Sequence, residues 1–189
     1  MGLERLERLK EEFPVKIELQ AFLLRSDIPP EGKARPPDTD DGADNKELKE
    51  PLRTAALEAG LTKMRRPPVI SYTLPSLEAT EYAKEQGKYD EFHKACYKAY
   101  WEEFQDIGKL EVLESIATDC GLDWGQLEER LGSGHYRETV MRQSKAGVDV
   151  GVRGIPAFII GNNGFMGAQP YEAFQRAAQE AMSLVTTKE

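Results

Sequence analysis

The stretch Gly151-Val-Arg-Gly-Ile-Pro-Ala-Phe-Ile-Ile-Gly161 decides the fold of this 189-residue chain. Pro156 has no backbone N–H to give to a β-ladder, so it cannot lie in the middle of a sheet, although it can begin the apolar strand over 157–160. An X-Pro bond is also the one place where a cis peptide costs little. The stretch predicts a proline loop directly before a core strand, with an edge-strand proline in a tight turn as the alternative.

The residues after this stretch predict a hairpin followed by a helix. Asn163-Gly164 is a typical hairpin turn signal, and Phe165-Met166 begins a second strand. Pro170 suits the first position of a helix, because its missing N–H is not needed there. The apolar stripe of this helix, which is expected to pack on the sheet, consists of Tyr171, Phe174, Ala178 and Ala181.

The first 46 residues predict a helix, a strand and a solvated loop, in that order. Apolar residues at helical spacing indicate a helix over 2–12, which Pro14 ends. No N-cap residue precedes it, so the helix looks as if it begins in mid-element. Alternating apolar residues then predict a strand over 15–24. Residues 25–46 are rich in Pro, Asp and Gly and are expected to form a loop.

The middle of the chain, from about 50 to 148, has an almost purely helical pattern. Gly60, Gly87 and Gly121 are expected to follow helix ends. Asp123 and Gln126 have the spacing of a capping box at the start of a further helix. The order of elements is therefore helix and strand, a helical block, and then strand, hairpin, strand and helix.

Composition and charge exclude several classes of protein. The chain is 40% hydrophobic and 31% charged, which is ordinary for a soluble protein. A net charge of −8 argues against nucleic acid or an anionic membrane as the main partner. No apolar run is long enough to span a bilayer, and Met1 leads into a charged amphipathic segment rather than a signal peptide. We expect a cytoplasmic protein.

The two cysteines and two histidines do not form a recognisable redox or metal motif. Cys96 and Cys120 lie on apolar helix faces and are expected to be structural, although a disulfide between them is not excluded by the sequence. His93 and His135 could complete a four-ligand zinc set with them, but the spacings match no standard module, so no metal is predicted. An acidic loop lacks the glycine and distant glutamate of a calcium site and is expected to be solvated; it contains Asp38, Asp40, Asp41 and Asp44.

Two segments around the hairpin resemble the DsbA family, in particular its FrnE-like branch: Gly154-Ile155-Pro156-Ala-Phe-Ile-Ile and Gly167-Ala168-Gln169-Pro170-Tyr-Glu-Ala-Phe174. Other segments resemble the same branch, among them Leu3 to Phe13, Asp27 to Gly32, Ala83 to Gly87 and Phe92 to Glu103. The resemblance implies an α/β, thioredoxin-like fold interrupted by an all-helical insertion. Residues 1–49 and 149–189 would form the thioredoxin-like domain and 50–148 the insertion. The implied activity is thiol–disulfide oxidation or isomerisation of proteins.

The sequence departs from the family where its chemistry lies. In the family, a first strand leads into Cys-x-x-Cys at the start of the first helix, and Gly2 resembles the glycine that follows this motif. No Cys-x-x-Cys occurs in the 189 residues. We therefore expect the strand and both catalytic cysteines to be missing in front of Met1, and the chain to be a shortened form with no catalytic residue and little or no dithiol activity. Of the family's site, only the substrate-binding loop Gly154, Ile155 and Pro156 is assigned.

A missing first strand would leave the segments 15–24 and 157–160 without their shared neighbour. The unpaired backbone groups would cost free energy if they were buried dry. We expect the gap to be closed by a rearranged or borrowed strand, or by formation of a homodimer.

Two other functions remain open. Glutathione-dependent 2-hydroxychromene-2-carboxylate isomerases and kappa-class transferases share the architecture, with serine in place of the first cysteine and glutathione bound against the proline loop. Their tract after the hairpin is usually aromatic-Trp-Gly-Gln, whereas here it is Phe165-Met-Gly-Ala-Gln. The third possibility is a non-catalytic protein that holds a peptide on the Pro156 loop. The expected partner is a protein or peptide thiol or disulfide, or glutathione, and no cofactor is implied.

Overall fold

The computed structural model describes residues 2–36, 47–167 and 169–186, so the acidic loop predicted around Asp38 to Asp44 lies outside the described residues. None of the described helices is long and apolar enough to cross a membrane. The order of helices and strands agrees with the sequence, except that the strand predicted over 15–24 does not form and that two-residue strands lie in the predicted loop over 25–46 and in the predicted helical block. The elements are α1 Gly2–Glu12, β1 Lys33–Ala34, α2 Leu52–Glu58, β2 Val69–Ile70, α3 Leu74–Glu85, α4 Tyr89–Trp101, α5 Leu110–Asp119, α6 Trp124–Ser133, α7 Arg137–Asp149, β3 Ala157–Ile160, β4 Asn163–Met166 and α8 Tyr171–Thr186.

The chain divides into two compact units. Unit 1 consists of Met1–Leu19, Lys49–Thr62 and Val148–Glu189, and unit 2 consists of Gln20–Leu48 and Lys63–Gly147. The domains expected from the sequence, 1–49 with 149–189 and 50–148, stay a prediction.

Unit 1 is built on the β3–β4 hairpin, with α1 and α8 packed against it. The helices contribute the buried side chains of Leu9, Tyr171, Phe174 and Ala178 to the core. Phe174 is fully buried and its ring lies 4.7 Å from that of Phe158 and 4.9 Å from that of Phe165. Aromatic rings at such distances stabilise a core beyond the area they bury. The apolar stripe predicted on the last helix is therefore confirmed as the face that packs on the hairpin.

Unit 2 contains helices α3 to α6 and most of α7. Its core consists of side chains from α3 to α6, of which Phe92, Leu113 and Leu127 are fully buried. The cap predicted at Asp123 is confirmed, because its carboxylate accepts from the backbone N–H of Gln126 at 3.0 Å. The predicted helical block is not helical throughout, since β2 pairs antiparallel with β1 over two residues.

The predicted strand over 15–24 is wrong. Residues 14–23 lie outside all helices and strands, and no strand pairs with them among the described residues. Within unit 2, side chains of α7 take the place of a neighbouring strand: the N–H of Ala21 donates to Gln143 Oε1 at 2.6 Å, and the N–H of Leu23 donates to Ser144 Oγ at 2.9 Å. Alternating apolar residues indicate an extended segment, but a strand also needs a partner strand.

The hairpin turn lies two residues earlier than predicted. Ile160 pairs with Asn163, so the turn residues are Gly161 and Asn162, and Asn163-Gly164 belongs to β4. Gly161 has a φ of +59°, and a positive φ at the first turn residue is what a type II′ hairpin requires. A side chain there would also collide with α8, because a Cβ on Gly161 would lie 2.7 Å from Ala181 Cβ. Gly161 therefore decides the register.

Candidate functional site

The loop over 151–156 connects the end of α7 to β3 within unit 1. The Ile155–Pro156 peptide bond is cis. The carbonyl of Pro156 accepts from the N–H of Gly167 at 2.8 Å, which extends the hairpin ladder by one residue beyond β3. The loop therefore lies directly before a strand, as the sequence predicts, and its last carbonyl is tied to the strand opposite.

One edge of β3 has no partner strand in the described part of the chain. Successive residues of an antiparallel strand direct their backbone groups to opposite sides. Because Pro156 faces Gly167 and Phe158 is opposite Phe165, the backbone groups of Ala157 and Ile159 point away from β4. These groups form a row of hydrogen-bond donors and acceptors to which an extended chain can be added.

The outer face of the hairpin is apolar and exposed. The side chains of Ala157 and Ile159 lie on the face opposite the core residue Phe158, because side chains alternate along a strand. Met166, the cross-strand partner of Ala157, shares that face. Ile159 is 60% exposed, Met166 43%, and Ile155 in the preceding loop 50%. Exposed apolar side chains beside an open strand edge can add contact area to an extended chain that pairs with that edge.

The N-terminus of α1 lies beside the Pro156 loop. A Cβ built on Gly2 would lie 3.8 Å from Pro156 Cβ and 2.9 Å from Phe158 Cζ, so glycine allows this close approach. The N-terminus of a helix has a partial positive charge, which lowers the pKa of a nearby thiol and attracts anions. The start of α1 and the proline loop therefore lie side by side.

The chain's two cysteines belong to the helical unit and not to this loop. Cys96 on α4 is buried, and burial raises the pKa of its thiol to about 12. Cys120 is half-buried at the C-terminal end of α5, and desolvation raises its pKa as well. Both thiols are free. Neither has the depressed pKa that a nucleophile of thiol–disulfide exchange needs.

The ring of His93 packs against two tyrosine rings of the same helix. Its ring lies between the rings of Tyr89 and Tyr97 at 5.0 and 4.6 Å, and Nδ1 is 3.1 Å from Tyr89 Oη. Burial lowers its pKa to about 4. His135 packs edge-on against the ring of Tyr136. The described residues contain no group of three or more His, Cys, Asp or Glu side chains that could hold a metal ion.

Sequence reasoning assigned Gly154, Ile155 and Pro156 to the site but missed the exposed side chains of Ile159 and Met166. No signal in the sequence indicates that Ile159 and Met166 are exposed. An apolar strand next to a proline predicts a buried strand, and only the structure shows which edge and face lack a partner.

Comparisons with known proteins agree with this architecture. The family model of the DSBA-like thioredoxin domain matches residues 1–179. A crystal structure of a probable DsbA oxidoreductase from Streptomyces coelicolor superposes with a TM-score of 0.77 at 22% identity, covering 96% of this chain and 83% of that chain. An uncharacterized protein of Bacillus subtilis, YwbO, is 30% identical over 111 residues, which are 58% of this chain and 55% of YwbO. The match thus spans little more than half the length of this curated relative.

Proposed function

Because the chain belongs to the DSBA-like thioredoxin domain family, we propose that it serves thiol–disulfide exchange on polypeptides and that its Pro156 loop is where the polypeptide docks. The fold is thioredoxin-like, mostly helical with few strands, as the resemblance implied. The family acts on thiol and disulfide substrates in general. The FrnE-like branch stays part of the proposal.

The observation that supports docking is the open edge of β3. Ala157 and Ile159 direct unpaired backbone groups to one side, and the backbone of Ile155 has no hydrogen-bond partner in the described residues. An extended polypeptide can pair with such an edge through main-chain hydrogen bonds, which do not depend on its sequence. The exposed side chains of Ile155, Ile159 and Met166 add apolar surface for its side chains.

The second part of the proposal concerns chemistry. Exchange requires a thiolate, and the printed 189 residues contain no Cys-x-x-Cys. Cys96 and Cys120 have raised pKa values and lie in unit 2. We propose that the Pro156 loop binds the substrate and that the thiols of Cys96 and Cys120 do not react with it.

Docking is tested by titrating the ¹⁵N-labelled chain with a blocked, extended seven-residue peptide of alternating valine and threonine around a central serine. We expect the largest amide shifts at Gly154, Ile155 and residues 157–159, since Pro156 has no amide proton. Ile155→Asp should abolish them, because it places a charge on the apolar surface. Leu184→Asp is the matched control, since Leu184 on α8 is equally exposed at 50%. Shifts that are absent, or that survive Ile155→Asp unchanged, would contradict docking at this loop.

Thiol–disulfide exchange is tested by measuring how fast dithiothreitol reduces insulin with and without the chain. The 189-residue chain should not raise the rate of insulin reduction above that of dithiothreitol alone. Turnover that persists in the Cys96→Ser, Cys120→Ser double variant would show a reaction route without either thiol and would refute the proposal.

Binding of glutathione, formation of a homodimer and a cytoplasmic location stay predictions. Retention of the chain on immobilised glutathione tests the first of them.

A further inference from the structure

Arg153 stands three residues before Pro156 and has a fixed side chain. Its Nη1 donates to the carbonyl of Val148 at 3.0 Å and to that of Val152 at 2.8 Å. Val148 belongs to the last turn of α7, where the partial negative charge of the carbonyls favours a cation. The guanidinium is therefore held in one place at the start of the docking loop, although the residue is exposed to solvent.

The way in which Arg153 is held leaves its carboxylate-binding edge open. The two carbonyls occupy Nη1, whereas Nε and Nη2 make no hydrogen bond or ion pair with any described residue. Nε and Nη2 together form the fork that binds both oxygens of a carboxylate. A side chain already immobilised by its own backbone loses little further entropy when it forms such a pair.

We propose that Arg153 selects extended polypeptides with a side-chain carboxylate next to the docked segment. The proposal rests on the proposed docking function and names a substrate class for it. No other charged residue lies between Val150 and Tyr171, so Arg153 is the single charge of the docking loop and hairpin. Of the side chains that the loop and the hairpin themselves offer to a peptide, only that of Arg153 is charged, and it is cationic.

The net charge of −8 acts in the opposite direction but from farther away. At physiological ionic strength, charges are screened over about 8 Å, so a contact charge outweighs distant ones. Asp149 and Glu172, the acidic residues next along the chain, lie outside the loop and the hairpin. The preference for a peptide with a carboxylate should therefore come from Arg153 and not from the net charge of the whole chain.

The test compares three blocked peptides that differ only beside the central serine, where they have glutamate, glutamine or lysine. Blocked termini ensure that the only variable carboxylate is that of a side chain. Dissociation constants are measured by ¹⁵N titration for the wild type and for Arg153→Gln, Arg153→Glu and Arg153→Lys. Arg176→Gln is the matched control, because Arg176 is an exposed cation of the same unit on α8.

We expect the wild type to bind the glutamate peptide about threefold more tightly than the lysine peptide, because an exposed ion pair is worth at most about fivefold. The ratio should fall to about one in Arg153→Gln, reverse in Arg153→Glu, be intermediate in Arg153→Lys and be unchanged in Arg176→Gln. Equal binding of all three peptides by the wild type, or a preference that survives Arg153→Gln, would overturn the role of Arg153 alone. Failure of all three peptides, including the uncharged one, would overturn the docking function and this inference with it.

Discussion

Gly2 at the start of α1 lies against the ring of Phe158 on β3, and a methyl group in place of its hydrogen would come within 2.9 Å of Phe158 Cζ. Phe158 has little room to retreat, because its ring contacts Phe165 at 5.6 Å and Phe174 at 4.7 Å between centroids. The absence of a side chain at Gly2 therefore brings the helix N-terminus close to the proline loop.

Gly2→Ala should destabilise unit 1. Overpacking a filled core costs about 1–3 kcal/mol, whereas alanine gains at most about 1 kcal/mol over glycine in a helix, so the steric cost wins. Hydrogen exchange of the α1 and α8 amides measures the change, because both tryptophans, Trp101 and Trp124, lie in unit 2. Protection that is equal to or higher than that of the wild type would contradict the close contact.

Gly132→Ala is the control for this substitution. Gly132 is the second-last residue of α6, and beyond its chain neighbours and the backbone of its own helix no atom lies within 4 Å of the position of its missing Cβ. Alanine should therefore raise the free energy of unfolding by about 0.5–1 kcal/mol through helix propensity alone. Tryptophan fluorescence in a urea titration measures it.

Arg137→Met should destabilise unit 2. Arg137 Nε lies 3.0 Å from Glu78 Oε1, and the Glu78 side chain is 1% exposed whereas that of Arg137 is 58% exposed. Removing one partner of a buried pair costs about 3–5 kcal/mol, and because water reaches Arg137 we expect about 1–3 kcal/mol. The measurement is again urea unfolding followed by tryptophan fluorescence.

Two further variants test the cause of this effect. Adding Glu78→Gln to Arg137→Met should recover part of the loss, because the buried charge is then gone. Arg142→Met should change stability by less than about 0.5 kcal/mol, since Arg142 and Glu138 are exposed and 4.0 Å apart. If Arg137→Met behaves like Arg142→Met, Glu78 does not depend on its ion pair.

Stability should fall when the pH falls from 7 to 5 because of His93. Burial lowers the pKa of His93 to about 4, whereas the unfolded chain has a value of about 6.5. Between these values the unfolded state binds more protons, so the contribution is fully present above pH 6.5 and is lost as the pH falls towards 4. We expect a loss of about 1–2 kcal/mol between pH 7 and 5.

The same pH comparison on His93→Gln isolates this contribution. Glutamine cannot take up a proton, so the difference in unfolding free energy between pH 7 and 5 should shrink by the amount that His93 contributes. An unchanged pH dependence in the variant would show that His93 is not the group responsible.

The sequence predicts most elements of this fold because their signals are local. Proline and glycine mark element ends, as at Pro14 and Gly87, and the apolar stripe of α8 follows helical spacing. Errors arose where the outcome depends on a neighbour. Residues 15–24 alternate like a strand but have no partner strand, and the hairpin register depends on the approach of Ala181 to Gly161.

The candidate site was predictable in part for the same reason. Gly154, Ile155 and Pro156 form a contiguous motif, so their place before β3 could be predicted from the sequence. The open β3 edge and the free fork of Arg153 depend on which contacts are absent, and no residue pattern encodes an absent contact.

The reactivity of the two thiols, Cys96 and Cys120, separates a structural from a redox role. Iodoacetamide at pH 8 should modify Cys120 at least about tenfold faster than Cys96, because Cys96 is buried and burial raises its pKa to about 12, whereas Cys120 is only half-buried. In urea the two rates should become equal, because both thiols are then exposed. Mass spectrometry of tryptic peptides measures each site.

The location of the thiols on their helices explains why neither should act as an exchange nucleophile. A helix N-terminus lowers a thiol pKa, but Cys96 lies inside α4 and Cys120 lies at the C-terminal end of α5, where the backbone carbonyls oppose a thiolate. Cys120→Ser should therefore change neither peptide docking nor the insulin assay. If Cys120 is instead alkylated faster in the folded protein than in urea, the fold activates this thiol and its assignment as structural is wrong.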